Sequence, residues 1–573
     1  MSQSIVEELE PLINPRSVAV IGATNNWNKW GFSTFASTLN GFEGEVYPVN
    51  SKESEVMGHK AFARVTDIPA PVDLAVFVIP AASVPAVMED CVAKGVKASV
   101  IISAGFAETG EKGKKLQDEV LRIARKGGIR FIGPNCMGYW SASSELRAFM
   151  FPMPVKDGPL AFVSQGGNVG GAIVMSGYQR GVGFHRYVSC GCAADIQIED
   201  YIEHFGEDPE VKVILTYIEG ISDGERFLEK VKKVTPKKPV IALKGGKTAA
   251  AAKAVTSHSG ALAGSDEAYD AAFRSAGVIR VDSPEELLDV AIGFLTQPLP
   301  RGRNVAILTP GGSYGILCAD ACALEGLNVI ELPDKTITLL DKVFPPRWSH
   351  GNPVDPAGDR NFISYMTAPL KLLRVEEVDS LIFMGFGGFS IFASMFLSAD
   401  SASLESVASW MPSQARFQEL APVFTRVLGS KDAVKISRII HPVISMAASM
   451  IGVHDEEEIA ELVELIASAI AAGRIDPSFF ITPPKSGDSR ATLRKGALRE
   501  MTSVEAIERF LAALAEQWVA NYNKPVITTT FAEGQPRLMG SHYAYPSGRQ
   551  AARVLIKLVE YKEYLEKLGM HRG

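Results

Sequence analysis

Three times in this chain a short β-branched apolar run ends in a glycine-bearing turn: Ser17-Val-Ala-Val-Ile-Gly22, Leu160-Ala-Phe-Val-Ser164 ahead of Gln165-Gly-Gly, and Asn304-Val-Ala-Ile-Leu-Thr309 ahead of Pro310-Gly-Gly. Further strand-like runs follow each of them, separated by stretches with helical spacing. Alternation of strand and helix at this interval argues for parallel, doubly wound sheets. At 573 residues the chain is also too long for a single core, and about three or four domains are expected. The fold class read from this is α/β.

The first segment carries strand patterns at 74–79 and 99–103 around a helical stretch at 84–94, and closes near 131–138. The second runs from Leu160 to about 296, with strands at 213–217, 239–243 and 278–281. Gln297-Pro-Leu-Pro-Arg-Gly302 reads as a linker. The third opens at Asn304, has a strand at 380–384, then a long stretch of helical pattern in which 456–472 is the clearest amphipathic helix. Strand character returns at Lys524-Pro-Val-Ile-Thr-Thr-Thr, and 547–567 reads as a terminal helix. The expected domains are 1–145, 146–298 and 299–573, the last with a mainly helical insertion at about 392–500.

Two of the glycine turns match each other. Ser164-Gln-Gly-Gly-Asn-Val-Gly170 and Thr309-Pro-Gly-Gly-Ser-Tyr-Gly315 share the pattern [ST]-x-G-G-x-x-G, each between a strand and a small-residue helix. Such a turn exposes backbone N–H groups at a helix N-terminus, where the dipole favours an anion. Glycine is needed there because a Cβ would hold a phosphate away. Tight strand–helix packing alone accounts for many single loops of this kind. Two matched loops in sister domains point instead to helix ends that converge on one phosphate, with Ser164, Gly166, Gly167, Gly311 and Gly312 as the candidate residues.

Composition narrows the partners. The net charge of −7 offers no basic surface for nucleic acid. The longest apolar runs, such as 443–453, are too short and too rich in small residues to span a bilayer. The first residues, MSQSIVEELEPLINP, are acidic where a signal peptide is basic. Six cysteines without metal-ligand spacing indicate a reducing compartment, and the cytoplasm is expected. Cys190 and Cys192 form a C-x-C pair with no second pair, so no metal site is expected.

The most informative stretch is Lys253-Ala-Val-Thr-Ser-His258-Ser-Gly-Ala-Leu-Ala-Gly264. His258 sits among small and hydroxyl residues, with no bulky neighbour to fix it in a core, and a helix begins only at about Ser265. A neutral imidazole on such a loop has one nucleophilic nitrogen, and a carboxylate partner would orient the other. The residue types alone favour the plainer reading, a surface-loop histidine.

The order of motifs changes that balance. Gly22-Ala-Thr after the first strand, S-A-G-F-x-E at Ser103–Glu108, G-P-N-C at Gly133–Cys136, the Ser164 loop, T-S-H-S-G-A-L-A-G around His258 and N-P-V-D at Asn352–Asp355 follow one another along the chain. Together they resemble the ADP-forming acyl-CoA synthetases, relatives of succinyl-CoA synthetase, over roughly residues 8–390 and again at 524–567. The resemblance implies a Rossmann-like CoA-binding domain followed by two flavodoxin-like doubly wound domains. It implies an acyl phosphate made from acyl-CoA and phosphate, a phosphohistidine at His258, and transfer of the phosphoryl group to ADP. Phosphorylated His258 would be held by the two glycine tips, and Glu219 matches the family's histidine-orienting glutamate. Without the resemblance Glu219 is an ordinary strand-end carboxylate.

In the first domain the resemblance assigns Gly22, Ala23 and Thr24 to the phosphates of CoA. Lys29 reads equally as a contact there or as a solvated loop lysine. Val49-Asn50-Ser51-Lys52 corresponds to a family V-N-P-K motif in which Ser51 replaces proline, so Asn50 and Lys52 are candidate contacts that this departure weakens. Ser103, Gly105, Phe106, Asn135 and Cys136 would line the thiol end, Cys136 as a buried strand-end thiol rather than a nucleophile. The aromatic residues Phe106, Tyr139 and Trp140 near this end would suit a carboxylate larger than acetate.

No ATP-grasp module is found, and Gly245-Gly-Lys-Thr248 lacks the first glycine of a P-loop. The family's nucleotide and Mg²⁺ are therefore expected on a separate ATP-grasp beta-type subunit, with this chain as the alpha-type subunit of a hetero-oligomer, or as a homodimer. Two other readings compete. An NAD-dependent oxidoreductase is disfavoured because G-A-T-N-N-W is not G-x-G-x-x-G and no acidic residue ends the strand at 46–49. A catalytically silent CoA- or acyl-CoA-binding regulator has no use for His258, Glu219 and both glycine loops.

Overall fold

The computed structural model describes residues 4–248, 250–251, 265–358, 362–385, 431–450, 455–475, 504–530, 537–539 and 542–570. The chain divides into two compact units, Met1–Leu295 with Glu563–Gly573, and Thr296–Lys562.

The first unit holds two main sheets. Its strands are β1 (Ser17–Ile21), β2 (Glu45–Val49), the short hairpin β3 (Glu55–Val56) and β4 (His59–Lys60), β5 (Leu74–Phe77), β6 (Ala98–Ile101) and β7 (Arg130–Ile132). Then come β8 (Gly138–Ser141), β9 (Leu146–Phe149), β10 (Leu160–Ser164), β11 (Phe184–Ser189), β12 (Val213–Ile218), β13 (Val240–Lys244) and β14 (Val278–Val281). The first sheet runs β2-β1-β5-β6-β7, all parallel. All five residues of β1 are buried, because helices cover both faces of a parallel sheet and leave the strand no solvent side. The covering helices include Trp30–Leu39, Val84–Lys94 and Glu111–Lys126. Val84–Lys94 carries proline in its first turn, where the missing N–H costs nothing, and stops at Gly95 with φ +82°.

The second sheet runs β14-β13-β12-β10-β11-β8-β9. Strands β10 to β14 are parallel, while the hairpin β8–β9 adds antiparallel to β11 at the edge. The hairpin follows the first sheet in the chain yet pairs with the second, and the boundary expected at 145 falls in its turn. The chain's last helix, Gly548–Lys567, ends in this unit, where the Tyr564 hydroxyl meets Thr235 Oγ1 at 2.9 Å.

The second unit carries β15 (Asn304–Leu308), β16 (Asn328–Val329), β17 (Ser380–Phe383), β18 (Val526–Thr529), β19 (Arg537–Met539) and β20 (His542–Tyr545), in the order β16-β15-β17-β18-β20-β19. Much of the expected insertion at 392–500 lies outside the described residues. Those described there form helices, Ala433–Met450 and Glu456–Ala471, the latter capped by Asp455, which accepts from the N–H groups of Glu457 and Glu458. Trp348 and Trp518 are fully buried in this unit's core. Among the described residues no helix is long and apolar enough to cross a membrane.

Counting the parallel strands of each sheet in chain order, all three sheets have the same doubly wound order, 2-1-3-4-5. In that order the chain leaves the first strand in opposite directions, so a crevice opens beside its C-terminal end, where open α/β sheets bind ligands. The crevices lie between β1 and β5, between β10 and β12, and between β15 and β17.

Candidate functional site

The first crevice is bounded by the turn after β1. Gly22 has φ +97°, its N–H donates to the Val49 carbonyl at 2.9 Å, and a Cβ placed on it would lie 2.3 Å from the Val78 carbonyl oxygen. Glycine is required on both counts. Past the end of β2, Glu53 folds back onto this turn: its carboxylate accepts from the Thr24 hydroxyl and from the Asn25 backbone N–H at 2.9 Å. These bonds, Thr24 foremost, hold the Glu53 carboxyl below the usual carboxylate range. Asn50 Nδ2 donates to the Ala23 carbonyl at 2.7 Å. The expected CoA contacts therefore separate into two groups. Gly22 and Lys29 line a cavity, whereas Ala23, Thr24, Asn50 and Lys52 are not among its lining residues. Thr24 and Asn50 hold the turn in shape. Glu53 escaped the sequence reading, which looked for an acidic residue within β2 rather than in the loop that follows it.

The loops after β6 and β7 form the next wall. The Ser103 hydroxyl accepts from the Ile79 N–H at 3.1 Å, and the Asn135 N–H donates to the Ser103 carbonyl at 3.0 Å. Burial pushes the Cys136 thiol up to about 12, so it stays a neutral thiol, donating to the Ile101 carbonyl at 3.4 Å. Ser103, Asn135 and Cys136 line the cavity. Gly105 and Phe106 do not: the Phe106 ring is buried in the core of the first sheet, and both backbone N–H groups are capped by the Glu108 carboxylate. Tyr139 and Trp140 are likewise core residues, their polar tips donating to the carbonyls of Leu12 and Phe184. The expectation that these three aromatic residues shape an acyl pocket is corrected by that burial, since each ring packs inside the fold. Glu108 also accepts from the Cys192 thiol at 3.6 Å, which burial and this carboxylate push up to about 12.

The second crevice faces the same cavity. The Ser164 hydroxyl, fully buried, donates to the Gly166 carbonyl at 2.7 Å, and Gly166 caps the helix Gly167–Gln179. A Cβ on Gly166 would lie 2.8 Å from the Tyr217 ring and 3.4 Å from Glu219 Oε1. Glu219, just past β12, is 5% exposed. Gln165 continues the ladder between β10 and β12 with its side chain: its Oε1 accepts from the N–H groups of Glu219 and Gly220, and its Nε2 donates to the Gly220 carbonyl at 2.9 Å. Lys244, at the end of β13, is 3% exposed, donates to the Glu219 carbonyl at 2.9 Å and lies 4.5 Å from the Tyr269 ring centroid. Burial holds its ammonium below the ordinary lysine range.

One cavity of about 1060 Å³ is lined from both sheets, by Gly22, Lys29, Ser103, Asn135 and Cys136 on one side and by Gln165, Gly166, Gly167, Tyr217 and Glu219 on the other. Every one of these residues lies in the loops and turns beyond strand C-termini or at the end of β12. The helix end at Gly167 offers partial positive charge, suited to an anion. His258 lies outside the described residues; Gly246 and Ala251, which precede it, line the cavity, and the helix Asp266–Ala276 that follows is capped by Ser265.

In the second unit the matched loop folds alike. The Thr309 hydroxyl donates to the Gly311 carbonyl at 2.9 Å, Gly311 caps the helix Gly312–Leu324, and a Cβ on Gly312 would lie 3.0 Å from Asp355 Oδ2. Among the described residues no group of three or more His, Cys, Asp or Glu is placed to hold a metal ion.

Three known families match the chain in succession: a CoA binding domain at residues 16–141, a succinyl-CoA ligase like flavodoxin domain at 157–294, and a ligase-CoA domain at 305–404. The alpha subunit of acetate–CoA ligase [ADP-forming] II from Pyrococcus furiosus is 45% identical over 375 residues, covering 65% of this chain and 81% of that subunit. Acetate–CoA ligase [ADP-forming] from Methanocaldococcus jannaschii is 40% identical over 352 residues, covering 61% of this chain and 49% of the relative. Among solved structures, the dinucleotide forming acetyl-coenzyme A synthetase 1 of Ca. Korarchaeum cryptofilum in complex with phosphate and ADP superposes with a TM-score of 0.68 at 27% identity, over 98% of this chain and 99% of that one.

Proposed function

The chain belongs to the family of ADP-forming acetate–CoA ligase alpha subunits, acid–thiol ligases, and from that premise we propose that it interconverts acyl-CoA, phosphate and ADP with a carboxylic acid, CoA and ATP through a phosphohistidine at His258. The observation that carries this is the single cavity lined both by the Gly22 turn and by Gly166, Gly167 and Glu219. It supports a thioester and a phosphate meeting in one space.

A phosphate oxygen attacks the thioester carbonyl, and CoA leaves as the thiol with a proton from phosphate. The acyl phosphate then loses its phosphoryl group to an imidazole nitrogen of His258, breaking the P–O bond and releasing the carboxylate. In the last step the P–N bond breaks and a terminal oxygen of ADP takes the phosphoryl group. Glu219 accepts the N–H of the other ring nitrogen, which keeps the attacking nitrogen unprotonated. The helix end at Gly166–Gly167 holds the phosphoryl oxygens. Lys29, Ser103, Asn135 and Cys136 take the CoA, the neutral Cys136 thiol competing with neither nucleophile.

ADP, ATP and Mg²⁺ are bound by a beta-type ATP-grasp partner subunit. Relatives 45% and 42% identical to this chain are named alpha subunits, which supports a partner subunit. The cytoplasm is the working compartment, a reading supported by six free thiols. The test uses the full-length protein with acetyl-CoA and radiolabelled phosphate. Acid-labile, base-stable label is expected on the wild type and absent from His258→Ala. A wild type that binds CoA but takes no label would sink the proposal in favour of a CoA-binding regulator.

A further inference from the structure

We infer that Met137 and Met150 decide which acid the protein takes: the acyl tail of the thioester lies against them, and that tail is apolar. This rests on the phosphate held at the Gly166–Gly167 tip, as given above.

The edge hairpin brings the two methionines together. Met137 stands just before β8 and Met150 just after β9, and the Met150 N–H donates to the Met137 carbonyl at 2.9 Å. The Met137 N–H donates to the hydroxyl of Ser189, the last residue of β11, at 3.0 Å. Its main chain is thus bonded on both sides, and the side chain runs along the first turn of the helix Gly167–Gln179. A Cβ on Gly167 would lie 3.1 Å from the Met137 Sδ, and one on Gly171 would lie 2.8 Å from its Cε. These two glycines are four residues apart, hence on one face of the helix. They leave the thioether the space that side chains would fill. Both methionines line the cavity, as does Val169 from the same helix turn.

The reaction fixes where the tail goes. The phosphate oxygen must come within about 3–3.5 Å of the thioester carbonyl carbon to attack it. With the phosphate at the Gly167 tip, that carbon stands beside Met137. The sulfur of CoA lies toward Ser103, Asn135 and Cys136 on the wall of the first sheet. The carbonyl's other substituent, the tail, then meets the hairpin that follows Cys136 in the chain. Among the described residues that line the cavity, the charged side chains are those of Lys29 and Glu219. Lys29 belongs to the other crevice, where it precedes the helix Trp30–Leu39. A second carboxylate at the end of the tail would meet thioethers, and a charge buried without a cation is costly. Thioether chains are unbranched and polarizable, so they adapt to tails of several lengths. The acid is therefore a monocarboxylate with an apolar tail.

The test follows labelling of the full-length protein by radiolabelled phosphate with acetyl-, butyryl-, hexanoyl- or succinyl-CoA. In the wild type, butyryl-CoA should label about a hundredfold faster than succinyl-CoA, the effect of one unpaired buried charge. Met137→Ala makes room, and the ratio of hexanoyl to acetyl rates should rise about tenfold. Met150→Phe takes room away, and the ratio should fall about tenfold, the scale for methylenes in an apolar pocket. The affinity for free CoA, which has no tail, stays at the wild-type value by calorimetry. Methionines that only pack the hairpin would lower every rate alike and leave the ratio unchanged; that result overturns the proposal. Equal labelling by succinyl- and butyryl-CoA overturns it too, and in both cases the phosphohistidine reading stands. A wild type labelled by none of the four overturns both. Met150 is only partly buried, so Met150→Phe carries the test should Met137→Ala fail to fold.

Discussion

Ser164 closes the glycine turn after β10 by donating its buried hydroxyl to the carbonyl of Gly166 at 2.7 Å. In the other unit Thr309 makes the corresponding bond to Gly311 at 2.9 Å. The hydroxyl residue that opens each [ST]-x-G-G-x-x-G pattern thus serves the turn's own backbone, as a second donor to a carbonyl that also accepts the first N–H of its helix, Gly170 on Gly166 at 2.9 Å and Gly315 on Gly311 at 3.1 Å.

Ser164→Ala removes that donor and is expected to cost about 1 kcal/mol, the worth of one hydrogen bond, since the Gly166 carbonyl keeps the Gly170 N–H at 2.9 Å. Thermal melting measures the loss. Because the Gly166–Gly167 tip is displaced, phosphoryl transfer should fall by more than the melting shift alone explains.

Gly22→Ala forces a side chain into a left-handed conformation and onto the Val78 carbonyl. A cost of about 3 kcal/mol or more is expected, with loss of CoA binding by calorimetry. Gly58 is the control. Its φ is +82° but no atom lies within 4 Å of its Cβ position, so Gly58→Ala should cost about 1 kcal/mol and leave CoA binding as it was.

Glu108→Gln removes the carboxylate that, with burial, raises the Cys192 thiol. Alkylation of Cys192 by iodoacetamide at pH 8, followed by mass spectrometry, should speed up several-fold in the variant. Cys136 should stay unmodified in both, and CoA should protect Cys192, which lines the same cavity. Equal rates for variant and wild type would show that burial alone governs this thiol.

Two buried histidines predict an acid limb of stability. Burial lowers His204 and His542 to about 4, below the ordinary 6.5. Between these values the unfolded chain binds protons that the folded chain refuses, so stability is full above about 6.5 and is lost as the pH falls toward 4. Melting temperatures should drop over that window and level off below it. His542→Gln should flatten the drop while lowering the melting temperature at pH 7, because the imidazole also bonds Thr528 at 2.9 Å.

The strands that open each sheet could be read directly from residues 17–22, 160–164 and 304–309, because a strand buried on both faces must be apolar throughout. The helix at Val84–Lys94 was equally legible, since proline at its start and glycine at its end are local demands. β11 was missed: Phe-His-Arg-Tyr-Val-Ser puts charged residues on a fully buried strand, and Arg186 is tolerated only because Asp208, distant in sequence, pairs with it at 3.1 Å. At the site, glycines and strand-end residues announced themselves by pattern. The work done by Glu53, Gln165 and Lys244 did not, because each acts on a backbone brought near by a neighbouring strand.

What the sequence determined by itself was therefore the set of parallel strands, the glycine turns after them and the family that shares their order, since these follow from apolar runs and backbone conformation within a few residues. Only the tertiary structure decided that the turns of two sheets share one cavity, that Phe106, Tyr139 and Trp140 are core, and that Gln165 and Lys244 hold the main chain of Glu219. The physical reason is that strand register and sheet order set those distances, and neither is encoded in any local stretch of chain.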